Sequence, residues 1–120
     1  MPVIAIAETR DQTVGNNAHF VSWTPLLNGD SGAPFQMPGF ADRSVQIGGT
    51  FGAGGTVLIE GSNDGTNYIT LADPQGVALS LTAAGLKEIS QIVKLIRPRV
   101  SAGDGTTSIT VTLLARRPAG

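Results

Sequence analysis

Apolar and polar residues alternate along most of this chain with the period of two that marks half-buried β-strands. Ser44-Val-Gln-Ile-Gly48, Thr56-Val-Leu-Ile-Glu60, Tyr68-Ile-Thr-Leu71 and Val77-Ala-Leu-Ser-Leu81 all carry it, and Val3–Ala7 reads as a first short strand. Two longer strands close the chain, about Val93–Ser101 and Ser108–Arg116. In the second, Ile109, Val111 and Leu113 share one face while Thr110 and Thr112 take the other. Gly-rich or Asp-Pro-Gln-Gly turns separate the strands at the spacing of a sandwich or barrel. Only Thr82–Ser90 carries a helical reading, with Thr82 as N-cap and Gly85 keeping it short. The predicted fold class is all-β: an antiparallel β-sandwich, jelly-roll-like, of seven or eight strands with at most one short helix.

Residues 10–41 break the pattern. They hold Asn16, Asn17, Asn28, Gly29, Pro25, Pro34 and Pro38, yet also Phe20, Trp23, Phe35 and Phe40, four of the chain's six aromatics. Exposed aromatic area is costly, so such a segment either wraps its own domain or docks on something else. Within it, His19–Leu27 reads as a strand that Pro25 interrupts or ends. The predicted organisation is one structural domain, with a strand and loop-rich interaction arm over 1–41 and the sandwich core over 42–120.

Composition narrows the partners. A chain of 120 residues should bury about two-thirds of its unfolded surface, enough for one core. It has no cysteine, hence no disulfides or thiolate metal sites. A net charge of -1 argues against nucleic acid or anionic membrane as the main partner. No apolar run nears the roughly 20 residues of a membrane span, and the start lacks a basic-then-apolar signal pattern. Charged residues make up only 14% of the chain, which fits either a surface covered by a partner or a rigid, neutral β-domain.

The chemical motifs lose to simpler readings. Gly29-Asp-Ser-Gly-Ala-Pro34 resembles the nucleophile loop of trypsin-like serine proteases, GDSGGP. The only possible base, His19, stands twelve residues before Ser31, whereas that family places its histidine far upstream, and two β-barrels do not fit in this length. A turn is the better reading. Gly48–Gly55 is rich in glycine but is followed by a strand and no nearby lysine, so it reads as a flexible connection with Phe51 at its tip rather than a phosphate loop. His19 alone makes no transition-metal site. No cofactor and no catalytic set is expected. Arg97 and Arg99 flank Pro98 on one strand face and, with Arg116 and Arg117, form either a positive edge for a partner's carboxylates or a solvated face.

The stretch Gly61-Ser-Asn-Asp-Gly-Thr-Asn-Tyr68 has the residues of a ligand loop. A two-residue turn at Asp64-Gly65 would set Ile59 opposite Thr70 and mix polar with apolar sides. A three-residue loop, Asn63, Asp64 and Gly65, sets Ile59 opposite Ile69 and Val57 opposite Leu71, with Gly65 where a left-handed residue is favoured. Asp64 is one carboxylate where a calcium loop needs several. The loop is predicted to be a hairpin turn.

Several phrases taken in order carry a family resemblance: the Gly-Asp-Ser-Gly-Ala-Pro segment, Ile59-Glu-Gly-Ser-Asn-Asp-Gly65, Ile96-Arg-Pro-Arg99 and the final Leu113-Leu-Ala-Arg-Arg117. Over roughly residues 19–117 the chain resembles small structural proteins encoded near the head genes of tailed bacteriophages. The resemblance implies a head decoration, or cement, protein: a β-sandwich dimer or trimer on the capsid exterior that bridges major capsid protein subunits. Phe20, Trp23, Phe35, Phe40 and Phe51 would then be partner anchors, with Arg97 and Arg99 beside them. Ser62–Tyr68 also resembles a hairpin phrase of discoidin-like domains, which implies a carbohydrate-binding module with Tyr68 and Trp23 as aromatic platforms. A tail or head–tail component is the third alternative.

Overall fold

The alternation in Ser108–Arg116 becomes a central strand whose Ile109, Val111, Leu113 and Ala115 are fully buried, while Thr110 and Thr112 remain on the opposite, partly exposed face. The computed structural model describes the backbone of residues 3–4, 7–10, 18–36 and 42–116, and the side chains of 20–36 and 43–115. In chain order the strands are β1 (Val3–Ile4), β2 (Ala7–Arg10), β3 (Ala18–Leu26), β4 (Ser31–Gly32), β5 (Phe35–Gln36) and β6 (Asp42–Thr50). They continue as β7 (Thr56–Ser62), β8 (Ile69–Thr70), β9 (Ser80–Leu81), β10 (Gly85–Glu88), β11 (Leu95–Ala102) and β12 (Ser108–Arg116).

These strands make two facing sheets. One runs β10-β6-β12-β3-β2; the other runs β1-β4-β11-β7-β8, with β5 on β11 and β9 on β7. All pairings are antiparallel except β1 with β4. The protein is therefore an all-β sandwich, as the alternation predicted. One core cluster fills the space between the sheets, with Val21, Trp23, Val45, Ile47, Val111 and Leu113 on one side and Val57, Ile59, Ile96 and Val100 on the other. Full burial stabilises by about 1.5–3 kcal/mol for each large aliphatic side chain, and this is the main term holding the sheets together.

Several expectations change. The two ends of the predicted strand Val3–Ala7 pair in different sheets: β1 joins one through Val3 opposite Ser31, and β2 joins the other through Ala7 opposite Ser22. The predicted helix in Thr82–Ser90 is β10, paired residue by residue with β6 from Gly85 opposite Ile47 to Glu88 opposite Ser44. A single turn around a glycine nucleates poorly, whereas the rim of β6 offers a row of unpaired backbone groups. Within the predicted arm 1–41, β3 carries fully buried Val21, Trp23 and Leu26 into the sandwich, so this part of the segment belongs to the core. Pro25 does not end β3, but it does interrupt its ladder. It lies where the β3–β12 register shifts between Ile109 and Val111, a bulge that does not require its missing N–H.

Candidate functional site

Of the five predicted aromatic anchors, two are core residues. Trp23 is 1% exposed and Phe35 7%, so neither is presented to a partner. The segment that resembled a protease loop is what encloses Trp23. Its indole Nε1 donates to the Ala33 carbonyl at 2.9 Å, and Gly32 lies against the ring. Asp30 closes the turn, its Oδ2 accepting from the Leu27 amide at 2.9 Å and its carbonyl from the Val100 amide at 2.8 Å. Phe51 also turns inward and is half-buried against the core. Phe20 is half-buried opposite Leu114, on the outer side of its sheet. Phe40, Arg116 and Arg117 lie outside the residues whose side chains are described.

The glycine-rich Gly48–Gly55 connection is clamped rather than free. Asp104 Oδ2 accepts from the Ala53 amide at 2.8 Å, and Thr107 Oγ1 donates to the Phe51 carbonyl at 2.8 Å. The Thr106 hydroxyl, then the Ala53 and Thr106 amides, hold the Asp104 carboxyl at about 2, below its ordinary range.

Loop 62–68 has the same construction. Asp64 Oδ1 accepts from the Thr66 and Asn67 amides, each at 2.8 Å, and from the Ser62 hydroxyl, while Oδ2 accepts from Asn67 Nδ2 at 3.0 Å. Those bonds, the Asn67 and Thr66 amides foremost, hold the Asp64 carboxyl well below the usual range. With its acceptor sites engaged from within, the carboxylate closes a turn, as predicted, and Gly65 has the expected positive φ of 80°. Asn63 ties the loop to β11 by accepting from the Lys94 amide at 2.9 Å. The register differs from the predicted one. Glu60 faces Thr70 and Gly61 faces Ile69, so the Leu71 amide bonds the Ile59 carbonyl and the loop is longer than three residues. A slip of two residues preserves the parity of the pairing, so Val57, Ile59 and Leu71 are buried as predicted, whereas Ile69, predicted to pair with Ile59 on the apolar side, is 69% exposed. Beside the loop, Ile69, Leu71, Gln91 and Val93 line an open hollow of about 390 Å³.

The chemistry-bearing surface is the outer face of β7 and β11. Ile96, Pro98 and Val100 point into the core, so Arg97 and Arg99 stand outside. Glu60, opposite Arg97 in the ladder, binds both: Oε1 accepts from Arg97 Nε at 3.1 Å and Oε2 from Arg99 Nε at 3.0 Å. The Arg97 guanidinium carbon lies 3.8 Å from the centroid of the Tyr68 ring, a cation–π contact. Side-chain exposure is 25% for Arg97, 40% for Arg99 and 6% for Glu60. Thus Arg97 and Arg99 are brought together as predicted, but their first carboxylate belongs to their own chain. Glu60 and Tyr68 are the members of the group that the candidate partner-binding set lacks. The signal for Glu60 was an acid ending the apolar run Thr56–Glu60, whose partner strand only the fold identifies.

Among the described residues, no three His, Asp or Glu side chains are grouped to hold a metal ion. With Trp23 enclosed and Arg97 against the Tyr68 ring, the two aromatic platforms of the carbohydrate reading are not both open. No protein-family model and no curated protein matches the chain. Among solved structures it is similar to the crystal structure of the SPBc2 prophage-derived protein YomS, with a TM-score of 0.61 over 96% of this chain and 97% of that chain. The two are 13% identical, so the likeness is one of fold.

Proposed function

We propose that this chain is a structural protein of a tailed-bacteriophage virion, acting by binding rather than by chemistry. In this reading it is a head decoration protein on the outside of the capsid, where a dimer or trimer bridges major capsid protein subunits. The observation that carries it is the sandwich shared along nearly the whole of both chains with a prophage-derived protein, joined to the ordered phrases that resemble head-gene products. The outer β7–β11 face supports it, because it holds two partly exposed arginines in positions fixed by Glu60. Repetition around a symmetric shell turns modest contacts into a large total stabilisation. A rigid sandwich with clamped loops loses little conformational entropy on docking.

The test is electron microscopy and protein analysis of intact particles from the phage that encodes the chain, with and without its gene. Regular extra density at symmetry-related points of the head is the expected result, together with heads that break more readily when the gene is deleted. Density confined to the tail or neck would move the chain to those structures, and its absence from the particle would overturn the virion reading.

A further inference from the structure

We propose that Arg97 and Arg99 form a preorganised receptor for one carboxylate of an acidic protein segment, with Glu60 as the residue that positions them. The surface is built from the ladder outward. Residues 97 and 99 are two apart on one strand, which sets their Cα atoms about 6.6–6.8 Å apart on the same face. Glu60 takes the Nε of each. Among the described residues only those Nε groups are hydrogen-bonded, which leaves the Nη1–Nη2 edge of each guanidinium open. That edge is the planar fork that binds carboxylates with two parallel bonds. Tyr68 under Arg97 fixes the plane of one fork.

Charge selects the ligand. Two arginines and one glutamate leave a single positive charge, and among the described residues no second carboxylate pairs with either arginine. One carboxylate from outside completes a neutral quartet; a dianionic phosphate would leave a negative excess. The net charge of -1 over the whole chain also disfavours a nucleic-acid strand, whose many phosphates would be repelled. The occupant is therefore a glutamate or aspartate on a protein surface. Its identity as a capsid segment rests on the function proposed above; the carboxylate chemistry does not.

The experiment has two arms. In the first, the side-chain Nε–H resonances of Arg97 and Arg99 are followed while the protein is titrated with a peptide alternating Glu and Thr, with its Gln counterpart, and with inorganic phosphate. Saturable shifts at both arginines with the Glu peptide, and none with the Gln peptide, are expected. An equal response to the Gln peptide, tighter binding of phosphate, or silence at Arg99 overturns the proposal. In the second arm, purified heads lacking the protein are incubated with wild type, Arg99→Ala and Arg99→Lys. Arg99→Ala leaves the nearly buried Glu60 with Arg97 alone and should melt below wild type, so binding is compared at a temperature where circular dichroism shows both variants folded. At least a tenfold loss of affinity in Arg99→Ala is expected, with only partial recovery in Arg99→Lys, which keeps the charge but not the fork. Unchanged binding of both variants overturns the receptor. Wild type failing to bind heads at all overturns the decoration reading instead, and the peptide arm still decides the carboxylate.

Discussion

Gly32 lies so close to Trp23 that a Cβ added to it would stand 2.5 Å from Cδ1 of the indole and 2.7 Å from Cδ of Pro98. The short strand holding Gly32 is thereby fitted to one ring of the core. Gly32→Ala should cost about 1–3 kcal/mol through overpacking, lowering the melting temperature by roughly 4–12 °C in a domain of this size. Calorimetry measures it, and an unchanged melting temperature would show that the indole has room to move.

Trp23 should behave as a core residue in every state. Its emission is expected to be blue-shifted and inaccessible to iodide, both free and on the docked partner. Trp23→Phe should cost about 1–3 kcal/mol, because the Ala33 carbonyl loses its donor and the core loses ring volume. Quenching in the free protein that disappears on docking would restore Trp23 as an interface anchor.

Glu60 holds two cations that would otherwise face each other. Glu60→Ala should destabilise by about 1–3 kcal/mol, less than for a fully buried pair, because both arginines keep access to water. Glu60→Gln retains one acceptor oxygen and should fall between. Urea midpoints at low and high salt measure both, and the Glu60→Ala deficit should shrink as salt screens the arginine pair.

Asp104 links the two loops at one end of the sandwich. Its carboxyl is held at about 2 in the folded chain against an ordinary 3.8, so its contribution is complete above pH 3.8 and is lost as pH falls through about 2. The stability difference between wild type and Asp104→Asn should be constant above pH 4 and narrow towards pH 2. The Ala53 amide resonance should titrate with the same low midpoint. A midpoint near 4 would show that the loop bonds do not hold in solution.

Arg43 is a buried cation with little return. It is 5% exposed, its Nη2 donates to the Gln91 carbonyl, and among the described residues its Nε and Nη1 are buried without a partner. Burial accordingly lowers its affinity for a proton. Arg43→Met should leave stability within about 1 kcal/mol of wild type or raise it. A loss beyond about 2 kcal/mol in thermal or urea unfolding would reveal a partner for the guanidinium outside the described residues.

Alternation in sequence is a local property, and it was enough to find most strands and to say which side of the long ones faces inward, though Ile69 and Val77 carry the apolar period and are exposed. Ile109, Val111 and Leu113 are buried for the reason their spacing gives, and Asp64 and Gly65 close the turn their chemistry allows. Partner choice is not local. Whether Gly85–Glu88 coils or pairs depends on the open rim of β6, some forty residues earlier, and whether Trp23 faces a partner or the core depends on Gly32 leaving room for it. Arg97 and Arg99 had a visible shared face, but not a visible counter-ion, because Glu60 comes opposite them only when β7 and β11 pair. The chain's own pattern determined an all-β sandwich with polar turns. Tertiary structure alone decided which aromatics are spent on the core and which charges are fixed on the surface, since burial and ion pairing depend on residues that the fold, not the sequence order, makes neighbours.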